Sequence, residues 1–449
     1  MSDALISESP RPARVEPLCQ KLPGGRRGAD GLSKEEVAAD QRRRLQGATI
    51  EAVAGHGYAQ TTAREVCRLA GVSERAFYEL FPDRKQGCFL ASYDTIVRCA
   101  VARIAAAHRS EKDWEAKLRV AFGAYAAQAV EQPQAARLVL VEALGAGPEA
   151  LQRMRDTRLA VERILDASFA QAPGGVAPPP LVVKGIVCGV ERVTRRLLLA
   201  GGVGELPGLA DELLAWALSY RSPAAAALGA SAAARTRRRV PDRPGTRGEN
   251  DRVRILRCAA QIAATGGYDQ LTPGRIAREA GVREATFEEL FQSTEQCFLD
   301  ALDRLGLEAL VCAARASQAS DDRLAGVHRG MVALMERIAS DPVLVRVAFV
   351  EIFALGPAGI ERRERLLGKC TDMLARSVPR SRRPSELVVE ASIGAIWGNL
   401  HHHVTRGACG RLPELAGYAT YLALAPAIGG EAALAAILAG AGEPVSRVA

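Results

Sequence analysis

In two long blocks of this chain, residues 40–220 and 251–442, apolar and polar residues never settle into the two-residue alternation of a half-buried strand. Both blocks are therefore predicted to be helical. The first is interrupted by QAPGGVAPPP at 171–180 and the second near VPRSRRP at 378–384. Ahead of them, residues 1–38 are rich in Pro, Gly, Ser and charge and are expected to form a disordered tail. Residues 221–248 begin Ala-rich, turn basic, and read as a flexible linker with a root-mean-square reach of roughly 30 Å.

Early in the first block the pattern sharpens into three short helices. Residues 42–54 have the length and composition of the first, closed by Gly55-His56-Gly57-Tyr58. Thr62 with Glu65 has the form of a capping box, which satisfies free amides at a helix start. The second helix should run to about Leu69, and Ala70-Gly71-Val72 should turn tightly, with Gly71 free to take a positive φ. Ser73 then caps a third helix reaching Phe81. On it Phe77 and Phe81, four apart, point into the core and leave Arg75, Ala76 and Tyr78 outside.

This segment occurs twice. GYAQTTAREVCRLAGVSERAFYELF (57–81) returns as GYDQLTPGRIAREAGVREATFEELF (267–291), 210 positions later and without a gap. Further along, RLVLVEALGAGP (137–148) matches RVAFVEIFALGP (346–357), and LVVKGIVCGV (181–190) matches LVVEASIGAI (387–396). A period of that length excludes a solenoid and implies duplication of a whole unit. Each unit is expected to be a small helical head (39–99 and 249–307) followed by a larger helical body (100–220 and 308–442).

Composition narrows the function. The 449 residues are 48% hydrophobic, enough for packed cores, and carry a formal net charge of +8, compatible with a polyanionic partner. Ten cysteines without a Cys-x-x-Cys pair suggest free thiols in a reducing compartment. With no signal-like or membrane-length apolar segment, a soluble cytoplasmic protein is expected. No acid/base pair, activated nucleophile or phosphate-cradling glycine loop stands out, so neither an enzyme nor a cofactor is expected. His401-His402-His403 would sit about 100° apart on a helix and cannot converge on one metal ion. Trp114, Trp216 and Trp397 are expected in the core.

The first head has the chemistry to meet DNA. A short helix offered by its N-terminal end after a tight turn is how a helix-turn-helix enters the major groove. Ser73 and the amides at the helix start suit a phosphate, Arg75 suits guanine O6 and N7, and Tyr78, Arg84 and Lys85 suit further backbone contacts. TTAREVCRLAGVSERAFYELFPDRKQGCF resembles the DNA-binding head of the TetR/AcrR family of transcriptional regulators. The resemblance implies an all-α, dimeric regulator whose body binds a small apolar effector. It implies Thr62, Ser73, Glu74, Arg75, Ala76, Tyr78 and Arg84 as the DNA-facing set. Two departures stand out: the doubling, and Leu80 where the family often has His or Tyr.

The second head keeps the scaffold but not the contacts. Ser73 becomes Arg283, Tyr78 becomes Glu288 and Arg84 becomes Thr294. Nine Lys/Arg against seven Asp/Glu give residues 39–99 a charge of +2, whereas seven against ten give residues 249–307 a charge of −3. Phosphate binding is driven by cations, so ordinary DNA binding should be weakened there. Thr272, Arg283, Glu284, Ala285 and Thr286 are the positions left to touch DNA. The expected molecule is thus a sequence-specific regulator acting on double-stranded DNA, released as a repressor by an effector, with the second unit as covalent pseudo-dimer partner. Two alternatives stay open: a homodimer of two chains, and a ligand-sensing or protein-interaction module without productive DNA binding.

Overall fold

The computed structural model describes residues 33–174, 176–228 and 250–442. The N-terminal 32 residues and 229–249, with the basic run at 237–239, lie outside the described residues. Among the described residues there is no strand. The helices are α1 (Lys34–Gln60), α2 (Ala63–Ala70), α3 (Glu74–Leu80), α4 (Arg84–Ser110), α5 (Trp114–Glu131), α6 (Pro133–Leu140), α7 (Pro148–Phe169), α8 (Pro180–Ala200) and α9 (Leu206–Leu218). The second copy gives α10 (Asp251–Gly266), α11 (Pro273–Ala280), α12 (Glu284–Leu290), α13 (Thr294–Gln318), α14 (Arg323–Ala339), α15 (Pro342–Phe349), α16 (Pro357–Ser377), α17 (Glu386–Thr405), α18 (Ala416–Ile428) and α19 (Gly430–Ala441). The chain divides into two compact units at Thr95–Ile96, inside α4.

The first unit is built around Leu45, Ala48 and Ala52 of α1, Val66, Cys67 and Ala70 of α2, Val72, Phe77, Phe81 and Cys88. Gly71, at φ 62°, ends α2 in the left-handed region, and the Val72 N–H bonds back to the Cys67 carbonyl at 3.1 Å. That six-to-one bond satisfies a carbonyl the helix end would leave bare, while Val72 packs beneath it. Arg44 Nη1 donates to the Ala70 and Gly71 carbonyls at 3.2 and 3.4 Å, tying α1 to the same turn. Thr62 Oγ1 accepts from the Glu65 N–H, but Glu65 does not close the box. Its carboxylate instead meets His56 Nε2 at 3.0 Å, next to the break in α1 at Gly57 (φ 87°).

α1 begins at Lys34, inside the segment expected to be a disordered tail. Ser33 and Glu36 form a complete capping box there, with the Ser33 N–H donating to Glu36 Oε2 at 2.7 Å. The charged, Ala-poor look of 33–38 concealed a valid helix start.

The second unit holds both bodies and the second head in one structure. Its centre is the crossing of α8 and α17, where small residues let two backbones close up. A Cβ on Gly189 would lie 2.6 Å from the Ala391 carbonyl oxygen, and one on Gly394 would lie 3.1 Å from Gly189 Cα. Around the crossing Trp216 Nε1 donates to Ser392 Oγ (3.1 Å), Tyr220 Oη to the Leu422 carbonyl (2.8 Å) and Asn399 Nδ2 to the Leu181 carbonyl (2.9 Å). One apolar core runs from Leu118 in the first body to Ile437 in the second.

Residues 221–228, expected as linker, are packed into this core: Ala225 and Leu228 are each 1% exposed. Ser222 caps a short 3-10 turn, Pro223–Ala227, which turns Ala224 and Ala225 inward and leaves Ala226 and Ala227 exposed. The second head repeats the first, with Thr272 capping α11 and Gly281 at φ 66°. It is pinned to its body by the buried Glu351, whose Oε2 accepts from the Tyr268 N–H at 2.9 Å.

Candidate nucleic-acid interface and ligand cavity

In the first head the outer face of α3 is laid out by its core face. Phe77 is fully buried, its ring 5.7 Å from that of Phe81, so residues to either side turn outward. Thr62, Ser73, Glu74, Arg75, Tyr78 and Arg84 are exposed, Tyr78 by 44%. Ser73 Oγ accepts from the Ala76 N–H at 3.2 Å. Ala76 is half-buried against the core, so only part of it is left outside. Arg75 Nε donates to Glu79 Oε1 at 2.9 Å on a wholly exposed surface. Such an exposed pair is screened by water and adds little, so it yields readily to a competing acceptor. Arg84 takes φ 56°, the left-handed value that sets the start of α4.

Lys85 is placed differently from the sequence expectation. Its Nζ donates to the Tyr58 carbonyl at 3.0 Å and the Ala59 carbonyl at 3.4 Å, and sits 4.3 Å from the centre of the Tyr58 ring. Burial lowers its pKa. The break at Gly57 frees those carbonyls, and Lys85 is the cation in reach. Arg64, exposed in the first turn of α2, is a cation that the sequence reading passed over.

The same surface of the second head is rearranged. Arg283 begins α12 without a side-chain cap, and Thr286 is half-buried while Arg283, Glu284, Ala285, Glu288 and Glu289 are exposed. Thr272 Oγ1 accepts from the Arg275 N–H at 3.3 Å. The Glu284 carboxylate lies against Gly274, with Oε2 3.2 Å from where a Cβ would be. Gly274 stands where the first head has Arg64. An internal acid therefore occupies the first turn of α11, where the helix dipole would otherwise favour an external anion.

The second body contains a cavity of about 830 Å³, walled by Leu302, Ala309, Leu334, Leu366, Ile396 and Trp397 among others on α13 to α17. This lies in the size range of small-molecule sites. If the bodies are aligned on their cap aspartates, Asp113 and Asp322, Tyr125 falls opposite Leu334. If they are aligned on their Leu-Val-Val starts, Thr194 falls opposite Leu400. In the first body Tyr125 Oη donates to Thr194 Oγ1 at 3.0 Å, whereas Leu334 and Leu400 both line the cavity. Of the three tryptophans, Trp216 is buried core and Trp397 is a cavity wall. Trp114 lies beneath the Arg221 guanidinium at 4.4 Å.

Beside the cavity, charges are buried in the seam between the bodies. Arg192 reaches the Glu390 carbonyl (2.8 Å) and Glu364 (3.3 Å), and Arg196 Nε reaches Glu390 Oε1 (2.8 Å). Arg195 Nε donates to the Leu140 carbonyl (2.7 Å), and Arg158 pairs with Glu191 (2.7 Å). Burial pulls the Glu364 pKa up, but Arg363, Arg192 and Arg195 outweigh it and hold the carboxyl below its usual range. Burial dominates at Glu390 and raises it. Burial, reinforced by Arg363, brings Arg195 down to about 10.

The His401 ring lies 5.0 Å from Trp397, whereas His403 Nδ1 lies 2.9 Å from the Asn399 carbonyl and its ring meets that of His402 edge-on at 5.4 Å. Among the described residues no group of three or more His, Cys, Asp or Glu could hold a metal ion, and no helix is long and apolar enough to cross a membrane.

No curated protein matches the chain. Two solved structures are similar to parts of it. One is the fatty acid degradation regulator FadR from Bacillus halodurans: 17% identity, 40% of this chain and 94% of that one, TM-score 0.37. The other is the transcriptional regulator FadR from Bacillus subtilis, in complex with stearoyl-CoA: 16% identity, 39% of this chain and 97% of that one, TM-score 0.36. The family described as bacterial regulatory proteins, tetR family, matches residues 47–91 and again residues 255–301. That DNA-binding domain of the tetR family is thus matched once in each half of the chain, consistent with two TetR-like units in tandem.

Proposed function

We propose that this chain is a repressor in which the first head reads DNA, while the second TetR-like copy, residues 249–442, serves as built-in dimer partner and ligand sensor. The observation that carries the reading is the contrast between the two α3-type faces. Ser73, Arg75, Tyr78 and Arg84 stand exposed on one, and Arg283, Ala285, Glu288 and Thr294 take their places on the other.

The N-terminal turn of α3 enters the major groove. Arg75 leaves Glu79, at little cost for an exposed pair, and takes guanine O6 and N7. Tyr78 Oη, Thr62, Ser73 and the amides at the starts of α2 and α3 bind phosphates, with Arg64 and Arg84 supplying positive charge. Glu74 and Ala76 flank these contacts, Ala76 offering a methyl-sized surface to a base. Lys85 acts indirectly, by holding the Tyr58 turn. On the second head, Glu288, Glu289 and Glu284 repel the backbone, so Thr272, Arg283, Ala285 and Thr286 make no productive set.

The effector occupies the second-body cavity, where Leu334 and Leu400 leave the space that Tyr125 and Thr194 bridge in the first body. Its binding repacks α14 and α16 against α17, and α17 bears directly on α8 of the first body. The reading is tested by titrating DNA from upstream of the gene, with random DNA as control. Arg75→Ala with Tyr78→Ala should abolish the preference and Glu288→Ala should leave it intact. Normal binding by the double variant would mean that α3 is not the reading helix.

A further inference from the structure

A second cavity, of about 40 Å³, lies in the seam and has Arg158, Arg192, Arg195, Arg363, Glu191 and His401 in its walls. Arg363, Leu367 and Trp397 line both this space and the 830 Å³ cavity, so the two adjoin. Two of the residues that line it each carry a buried polar atom with no hydrogen-bond partner among the described residues: Arg363 Nε and His401 Nε2. Arg363 is only 6% exposed, and its guanidinium lies over the Phe353 and Trp397 rings at 5.4 and 5.8 Å.

Among the described residues, Glu191 and Glu364 each meet more than one of these arginines. Glu364 meets Arg363 (2.6 Å), Arg192 (3.3 Å) and Arg195 (3.9 Å), and Glu191 meets Arg158 (2.7 Å) and Arg195 (4.0 Å). Glu390 is taken up by Arg192 and Arg196. Arginines gathered on shared carboxylates keep N–H donors that suit a further anion, and a charge-assisted bond to one is strong in a buried site.

We infer that the second body's ligand is an amphipathic carboxylate, whose apolar chain fills the larger cavity and whose carboxylate enters the seam cavity to accept from Arg363 Nε. His401, in its Nε2–H tautomer, offers the second hydrogen bond. Size restricts the head group. About 40 Å³ exceeds the roughly 10–15 Å³ a water needs and is far below the roughly 300 Å³ of a small drug-sized site. A carboxylate fits where a nucleotide or sugar phosphate would not. The inference rests on the reading of the larger cavity as the effector site, and it adds that the ligand touches both bodies at once.

The test is calorimetric titration of the full chain with dodecanoate, dodecanol and dodecyltrimethylammonium, which share a tail and differ in head. Dodecanoate should bind about tenfold or more tighter than dodecanol, and the ammonium weakest, as expected for a charge-assisted bond. Arg363→Gln should bring the acid down to the level of the alcohol and leave the alcohol unchanged. Equal binding of acid and alcohol to the native protein would overturn the carboxylate assignment while keeping the cavity as an apolar site. Binding of neither would remove both. The comparison on the native protein decides the question even if the variant fails to fold.

Discussion

Replacing Gly394 by Ala should loosen the joint between the two bodies. The added Cβ would stand 2.8 Å from Arg192 Cβ and 3.1 Å from Gly189 Cα, where carbon atoms are comfortable at about 3.5–4.0 Å. Neither neighbour is the free end of a side chain, so α8 and α17 must separate by about half an ångström or more. Overpacking of this kind costs about 1–3 kcal/mol, against which the helix preference of Ala over Gly returns about 0.8–1 kcal/mol. The net expectation is a loss of up to about 2 kcal/mol. Gly123, inside α5 with nothing within 4 Å of its would-be Cβ, is the matched control. Gly123→Ala should gain about 0.5–1 kcal/mol from the same helix preference. Thermal denaturation followed by tryptophan fluorescence reads both, because Trp216 is bonded to Ser392 across the joint. The reasoning fails if the two variants shift the transition equally, since α8 and α17 would then not cross closely within the chain.

Other substitutions separate contacts that the sequence alone groups together. Arg84→Ala should reduce the slope of log affinity against log salt by about one, whereas Lys85→Met should leave the slope and lower the melting temperature instead. Glu390→Lys installs the residue that Lys184 is in the first copy, against Arg192 and Arg196. It should cost about 3–5 kcal/mol in a denaturant titration. Burial holds His401 well below 6.5 and brings His402 to about 4, so the unfolded chain takes up protons that the folded chain refuses. Stability should therefore fall as pH drops below about 6.5, levelling for His402 below about 4, and His402→Gln should flatten the melting temperature between pH 6.5 and 4. Leu334→Trp should fill the larger cavity, leave DNA affinity unchanged without ligand, and lower ligand affinity by about tenfold or more, read by calorimetry.

The heads were legible because their signals are local. Thr62, Gly71, Ser73 and the Phe77–Phe81 pair each act within a few residues, and each sits as the sequence implies. What was not legible depends on distant partners. Lys85 reads as a phosphate cation until the carbonyls freed by Gly57, 27 residues away, claim it. Ala224, Ala225 and Leu228 read as linker because only the fold supplies the surface that buries them. Arg192 and Glu364 are 172 residues apart, and the large cavity is walled by residues of five helices, α13 to α17, so no window of sequence contains either. One signal was available and went unused. Gly185 and Gly189, like Gly394 and Gly398, are four apart, the spacing that lets two helices approach closely.

The seam also bears on whether the bodies pair within a chain or between chains. A two-fold homodimer needs a surface that complements itself, so any charge at the joint must meet its own copy's partner. Here the partners belong to different copies. Arg192 and Arg196 of the first body hold Glu390 of the second, and the matched place in the first body is Lys184, already held by Glu162 at 2.9 Å. Two first bodies would set Lys184 against Arg192 and Arg196. Two second bodies would offer Glu390 only Gly398 and His402 at the matching places. Neither like pairing reproduces the buried bonds, and the unlike pairing does. Joining the copies in one chain supplies the unlike partner at high local concentration and relieves each copy of self-complementarity. It also relieves the second head of matching the first. On the proposed function, a molecule so built needs one half-site rather than a palindrome, and the acids on α12 would oppose the second set of phosphate contacts that a palindrome serves.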